Sequence, residues 1–472
     1  MDPRELASTP TPIPGLVLFE LSVHTDSRGW FKENWHRRKM LAAGLPDFGP
    51  VQNNISFNAV RGTTRGIHAE PWDKFVSLAS GRIFGAWVDL RKGPTFGVLF
   101  TAELTPGQAV FVPRGVGNAF QTLDADTAYT YLVNDHWSPE AQQNYTFLNL
   151  ADEQVAVPWP IPLSEAILSD QDKNHPRLAG VSPMEKRRTL VLGAGGQLGT
   201  ALRQAFDGDT TVDFAGRRDF DITSEDSYRS VNWRDYSTII NAAAFTAVDA
   251  AESPEGRAAA WTINAAAVSR LAATAVDHSL TLVHVSSDYV FDGTVKPHQE
   301  DEPFSPLGVY GQSKAAGDIA AGTVPRHYIV RTSWVVGDGK NFVRTMAGLA
   351  AKGASPAVVD DQFGRLSFAE DLAAGIRHLL DSRAPHGTYN LSNSGDHQRW
   401  ADVAADVYRL CGADPRLVRP ISTAEYNKPE MAPRPANSVL DLGKISAVGF
   451  APPDASQRLA DYLQHMTGQR PS

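Results

Sequence analysis

The chain has 472 residues, a length that fits roughly three average domains. Its net charge of −9, with 42% hydrophobic and 21% charged residues, describes a packed globular protein and excludes a disordered one. The acidic balance also makes nucleic acid a poor partner. A single cysteine, Cys411, excludes an internal disulfide and any multi-cysteine metal cluster. The opening residues hold no apolar leader segment, and no apolar run approaches a membrane span. The expectation is a soluble cytoplasmic protein with no membrane partner.

Residues 15–135 read as short strands at residues 16–21, 74–81, 82–91, 96–104, 109–114 and 128–133. Gly, Pro and Asp punctuate them about every ten residues, which predicts an all-β, cupin-like jelly roll. After residue 187 the pattern changes. Apolar runs at 189–192, 211–216, 238–244, 281–287 and 327–334 alternate with helical sequence. That alternation predicts a parallel sheet covered by helices on both faces, a doubly wound Rossmann-type α/β domain. Residues 178–189 are polar with Gly, Pro and a charge cluster, and read as a linker. The expected domains are therefore 1–183 and 184–472, the second ending in a small substrate-binding lobe.

In the second half Gly193, Gly196 and Gly199 follow a strand and open a helix. Small residues there permit a tight turn, close approach of a pyrophosphate, and a helix N-terminus facing negative charge. Arg217 and Arg218 follow the second strand, where NAD enzymes carry an acid for the ribose hydroxyls. Guanidinium groups suit a 2′-phosphate, so NADPH is favoured and NADH is the alternative. Tyr310 and Lys314 stand four apart at the start of a helix and share one face. A cation beside a phenol is expected to lower its pKa and make it a proton donor or acceptor near neutrality.

GAGGQLG (193 onward), NAAAF (241–245), SSDYVFDG (286–293), YGQSK (310–314), RTSWVVG (331–337) and VVDDQFG (358–364) stand in order. Together they resemble dTDP-4-dehydrorhamnose reductase, an extended short-chain dehydrogenase. The resemblance spans residues 187–468 and implies a catalytic set of Ser287, Tyr310 and Lys314. Ser287 stands where the family has threonine, and keeps the hydroxyl. It also implies Gln197, Leu198 and Ala243 as cofactor neighbours and Trp334 against the sugar nucleotide. Some relatives use Mg²⁺, although no motif here predicts it. GRLSF (364–368) replaces the family's Gly-Ser-Pro-Thr stretch on the substrate side.

In the first half His68 lies just before a predicted strand. A jelly roll with histidine raises the metal-binding cupin, but there is no H-x-H pair, and Asn118 stands where a second histidine would be expected. No metal is expected in this domain. The set RGIH (65–68), VDLRKGPTFG (88–97), YLVNDHWSP (131–139) and LSDQD (168–172), with DSRGWFKE (26–33) and QNNIS (52–56), resembles dTDP-4-dehydrorhamnose 3,5-epimerase. That resemblance covers residues 13–178 and implies a homodimer formed through the jelly roll. It makes His68 the base that removes the acidic protons flanking a sugar ketone, oriented by Asp172. Lys74 would stabilise the enolate, and Tyr131 would return a proton on the opposite ring face. Arg28 and Arg65 would meet the diphosphate, while Glu33, Gln52 and Asn54 line the nucleotide or sugar site. The family's histidine and second tyrosine are replaced by Asn118 and Trp137, both beside the sugar.

These readings make the chain a bifunctional epimerase and reductase producing dTDP-L-rhamnose from dTDP-4-dehydro-6-deoxyglucose. The alternatives are an enzyme making a different dTDP-6-deoxyhexose and a sugar-nucleotide-binding regulatory protein.

Overall fold

The computed structural model describes residues 6–426, 428 and 431–467. The chain divides into two compact units, Met1–Lys186 and Arg187–Ser472.

The strands of the first unit are β1 (Ser8–Pro10), β2 (Val17–Glu20), β3 (Val23–Asp26), β4 (Gly29–Lys32), β5 (Gln52–Asn58), β6 (Thr64–Ala69) and β7 (Lys74–Ser80). Next come β8 (Ile83–Asp89), β9 (Leu99–Leu104), β10 (Gln108–Val112), β11 (Val116–Thr122), β12 (Thr127–Val133) and β13 (Thr146–Phe147). They build two sheets, ordered β1-β2-β10-β7-β12-β5 and β13-β6-β11-β8-β9, and every pairing in them is antiparallel. One face of each sheet is apolar, and the two faces meet. Val76, Leu78, Val110, Val112 and Tyr129 from the first sheet pack in one cluster with Ile83, Trp87, Leu104, Val116 and Phe120 from the second. Burial of each large apolar side chain in such a layer contributes about 1.5–3 kcal/mol. The hairpin β3–β4 stands outside these sheets, and Phe31 on it is 69% exposed.

Strand β6 does not pair evenly with β11. Asn118 faces His68 and Phe120 faces Arg65, so β6 carries one residue more than its partner between these pairs. Gly66 sits in that step with φ +121, and a Cβ on it would lie 2.5 Å from the Ala119 Cβ. Only glycine fits there without moving backbone.

Residues 178–189 are less of a linker than their composition predicts. Leu178–Gly180 form a short 3₁₀ turn, and Met184 is buried in the core beside Leu90. The Met184 N–H donates to the Leu90 carbonyl, and the Lys92 N–H donates to that of Met184. The next strand begins at Arg188. A methionine with an apolar pocket to fill outweighs its polar neighbours.

The second unit holds β14 (Arg188–Leu192), β15 (Val212–Ala215), β16 (Tyr236–Asn241), β17 (Thr281–Ser287), β18 (His327–Thr332) and β19 (Gly387–Asn390), in the order β15-β14-β16-β17-β18-β19. All are parallel. The strand order reverses between β14 and β16, the position at which such sheets bind ligands beyond their carboxyl ends. Alternate residues of each apolar run serve opposite helical layers. Leu190, Leu192, Ile239 and Leu282 enter one core, whereas Val191, Ile240 and Val283 enter the other. Burial on both faces explains why these strands read as unbroken apolar runs. A third core gathers the helices Phe342–Ala351 and Trp400–Leu410 into a smaller lobe. No helix among the described residues is long and apolar enough to cross a membrane.

Candidate active sites

In the first unit β6 presents His68 into a cleft of about 620 Å³. The short helix Asp170–Lys173 brings Asp172 to it, capped by the Ser169 hydroxyl, which accepts the Asp172 N–H. His68 Nε2 and Asp172 Oδ1 stand 2.8 Å apart. Burial opposes ionisation of Asp172, but the hydrogen bonds from His68 and Ser169 hold its carboxyl below the usual range. With Asp172 accepting the Nε2 proton, the free lone pair of the neutral ring is on Nδ1.

Lys74 opens β7 and is buried against Glu70, with Nζ 2.5 Å from Oε1. Trp72 Nε1 donates to the other oxygen of Glu70 at 2.6 Å. The Lys74 ammonium lies 5.3 Å from the centre of the Tyr131 ring. Burial, reinforced by the Glu70 charge, pushes the Tyr131 phenol up to about 12, so it is a proton donor at neutral pH. Asn118 shares the cleft, but its amide is engaged with the Tyr129 hydroxyl at 3.0 and 3.1 Å. Arg65 lines the same cleft and donates to Asn58.

The structure thus gathers Arg65, His68, Lys74, Asn118, Tyr131 and Asp172 into one site. The remaining expected residues do not line this cleft. Arg28 is held by Asp26 in the exposed β3–β4 turn, and Glu33 by Lys39 at 2.7 Å. Gln52 bonds to Asn54 and accepts the Trp137 N–H, while the Trp137 side chain is largely exposed. Gln52 and Asn54 do share the inward face of β5 with Ser56, which lines the cleft, so they continue its wall along the strand.

In the second unit β14 runs into Gly193, whose φ is +77 and where a Cβ would stand 2.6 Å from the Ala243 nitrogen. A Cβ on Gly199 would stand 2.3 Å from the Gly193 carbonyl oxygen. The three segments therefore meet only because two of these residues lack side chains. Gly196 caps the helix Gln197–Ala205. Around this turn lies a cleft of about 270 Å³ lined by Gly193, Gly195, Gly196, Arg217, Asp221 and Ala243, among others. Its shape, small-residue floor, helix N-terminus and exposed Arg217 guanidinium, paired with Asp221 at 3.5 Å, fit a dinucleotide. Arg218 is exposed outside this lining, and Leu198 is buried in the core. Gln197 lies on the other side of its helix, near Gly337 and Lys340. The Leu198 side chain takes the sheet-facing side of this first turn, and that of Gln197 the side away from the cleft.

Ser287 ends β17, and its Oγ donates to Asp288 Oδ1 at 2.8 Å. The neighbouring Ser287 hydroxyl pulls the Tyr310 phenol down, yet burial outweighs it and pushes the phenol up to about 12. The expected lowering by Lys314 is absent. Lys314 is itself buried, its pKa depressed to about 8 by desolvation, and its Nζ donates to the Val285 carbonyl at 2.6 Å. Desolvation of the phenol dominates, and the nearby Asp318 charge raises its pKa further, against the ammonium. Tyr310 is accordingly poised as an acid. Trp334 stacks on Trp400, with ring centres 3.6 Å apart, at the edge of the lobe's core.

The family profile described as RmlD substrate binding domain matches residues 187–467. That for dTDP-4-dehydrorhamnose 3,5-epimerase matches residues 10–180. A protein of Streptococcus pyogenes serotype M6 named as an RmlC homolog is 46% identical over 180 residues, 37% of this chain and 90% of the relative. The dTDP-4-dehydrorhamnose reductase of Mycobacterium tuberculosis is 37% identical over 275 residues, covering 56% of this chain and 88% of that protein. The chain belongs to both families, epimerase first and reductase second. A solved dTDP-4-dehydrorhamnose reductase from Bacillus anthracis in complex with NADP superposes with a TM-score of 0.55 and is 30% identical. It covers 60% of this chain and 99% of its own.

Sequence reasoning passed over Glu70, Tyr129 and His175 in the epimerase half. Glu70 is the charge partner of Lys74, Tyr129 satisfies Asn118, and His175 stands beside the His68–Asp172 pair with ring centres of the two histidines 5.3 Å apart. In the reductase half it passed over Asp288, Asp318 and Arg331. Arg331 Nε donates to Asp318 Oδ2 at 3.0 Å beneath Lys314. Glu70 had a signal, since a carboxylate four residues from a lysine at a strand start invites the pair. Asp288 is the immediate neighbour of Ser287, and the others depend on contacts between segments apart in sequence.

Proposed function

We propose that this chain makes dTDP-L-rhamnose from dTDP-4-dehydro-6-deoxyglucose in two consecutive steps, epimerisation at C3 and C5 followed by reduction at C4. The observation that carries the reading is the His68–Asp172 pair facing a cleft that also holds a half-buried phenol and a buried ammonium. A 4-keto group acidifies the C–H bonds at C3 and C5. His68 takes such a proton, and Asp172 stabilises the imidazolium that forms. Lys74 supplies positive charge for the enolate, and Arg65 for the diphosphate. Tyr131, protonated at neutrality, returns a proton to the opposite face and inverts the centre.

In the reductase half Gly193, Gly196, Gly199, Ala243 and Arg217 would hold NADPH, with Arg217 toward a 2′-phosphate. Bound NADPH supplies the hydride for C4. Ser287 orients the ketone oxygen by its hydroxyl, Tyr310 protonates that oxygen, and Lys314 holds the end of β17 in place through the Val285 carbonyl. Tethering the two catalytic units raises the effective concentration of the second site for the keto intermediate. The reading extends to a cytoplasmic homodimer joined through the jelly roll. Ile55 and Phe57 on edge strand β5, exposed to 67% and 61%, support that expectation.

The test is a coupled assay with the 4-keto sugar nucleotide, following NADPH absorbance, deuterium uptake at C3 and C5, and product stereochemistry by NMR. Exchange at both carbons and an L-rhamno product are expected. Absence of NADPH consumption removes the reductase assignment, and absence of exchange removes the epimerase assignment. Exchange at one carbon only would favour a different 6-deoxyhexose, a reading to which the diversion of Asn118 onto Tyr129 lends weight.

A further inference from the structure

We propose that His68, Asp172 and His175 form a binding site for a divalent cation of the zinc class, whose occupancy silences the epimerase. The ligand atoms of the three side chains all lie within 4.8 Å of one another. This is the group of three or more His, Cys, Asp or Glu side chains with such spacing among the described residues.

His175 carries the argument. Its residue is 9% exposed, and neither ring nitrogen completes a hydrogen bond of ordinary geometry. A buried imidazole without partners forfeits hydration at both nitrogens, a cost that calls for a compensating ligand. Its position is fixed from behind. The ring stacks on Phe147 at 4.6 Å, and Phe147 on β13 pairs directly with His68 on β6. Asn149 Nδ2 donates to the carbonyls of Lys173 and His175, each at 2.9 Å, tying down the turn that presents the ring. The imidazole is thus held against the dyad, with the Leu148 backbone as a further polar neighbour but no bond of ordinary geometry to either nitrogen.

Two imidazoles and one carboxylate are the donor set of Zn²⁺, Co²⁺ and their neighbours, not of Mg²⁺ or Ca²⁺. Ligand atoms around a tetrahedral zinc stand about 3.3 Å apart. The His68–Asp172 contact is shorter, at 2.8 Å, and the widest separation here is at most 4.8 Å. Closure therefore asks for movement on the order of 1 Å. Three protein ligands leave a fourth position for water. Metal on either nitrogen of His68 removes the base. On Nδ1 it occupies the lone pair, and on Nε2 it leaves the remaining proton on Nδ1. The silencing, though not the binding, rests on His68 being that base.

The test uses the full chain stripped with EDTA and desalted, titrated with Co²⁺ and followed by its visible d–d absorption. One saturating equivalent with the intensity of a low-coordinate site is expected. His175→Gln is expected to bind about tenfold or more weakly. In the wild type, proton NMR of the cobalt form should show paramagnetically shifted ring N–H signals from two histidines, a readout independent of how the variant folds. Zn²⁺ should then stop deuterium exchange at C3 and C5, with NADPH-dependent reduction of an already epimerised substrate continuing and EDTA restoring exchange. No saturable cobalt band, shifted signals from fewer than two histidines, or equal affinity in His175→Gln overturns the site. If cobalt binds as described but the metal-free protein exchanges no substrate protons, the site stands and the epimerase reading falls.

Discussion

Asp288 offers a test in which direction and size both come from the structure. It lies directly after β17 and is buried at 3% exposure. Burial pushes its carboxyl up to about 6 from an ordinary 3.8, although the Ser287 hydrogen bond works the other way. The native state therefore binds this proton more tightly than the unfolded chain does. Its stabilising contribution is complete below about pH 4 and is lost as the pH rises through about 6. A displacement of about two pKa units corresponds to about 3 kcal/mol. Asp288→Asn keeps a side-chain oxygen for Ser287 and removes the ionisation. Urea unfolding of the second unit, followed by amide exchange in the peptide containing β17, measures wild type and variant at each pH. The stability of the variant relative to wild type should rise by about 1–3 kcal/mol between about pH 4 and pH 7, then level off. A difference independent of pH would mean that Asp288 is not held in a desolvated site, and the argument fails.

Asp172→Asn should slow deuterium exchange at C3 and C5 by about 10- to 100-fold, the loss of one charge-assisted hydrogen bond. NADPH-dependent reduction of an already epimerised substrate should stay within about twofold of wild type. Tyr310→Phe is expected to cut the reduction rate by about 10²–10⁴ with NADPH affinity, read by fluorescence titration, preserved; an undiminished rate would assign the proton to another group. Gly199→Val places atoms where the Gly193 carbonyl already stands, so NADPH affinity should fall by about tenfold or more. Tight NADPH binding in that variant would show that the turn is not the dinucleotide site.

The fold was legible wherever one residue pattern served one local purpose. The runs at 74–81, 82–91 and 128–133 form β7, β8 and β12, and the apolar runs after residue 187 form the parallel sheet. The glycine turn was legible because close backbone approach leaves a composition behind. His68, Asp172, Lys74 and Tyr131 came from family resemblance, and the cleft brings them together. His175 was not legible, since its stack on Phe147 joins positions 28 residues apart, and Phe147 meets His68 through a β-pairing that no local pattern records. The Tyr310 pKa was read in the wrong direction. Spacing placed Lys314 on the same helix face, but it carried no information about the burial of both groups or about the Val285 carbonyl.

The uneven pairing of β6 with β11 makes strand length part of the chemistry. Side chains three apart on a regular strand point to opposite faces, yet Arg65 and His68 both open into the cleft because the residue inserted at Gly66 restores their parity. Straightening this step at constant length would preserve every functional group by name. It would nonetheless turn the guanidinium away from the base and separate substrate capture from proton removal. In comparing this epimerase half with its relatives, the residue that stands at Gly66 therefore weighs more than several substitutions in the cleft wall.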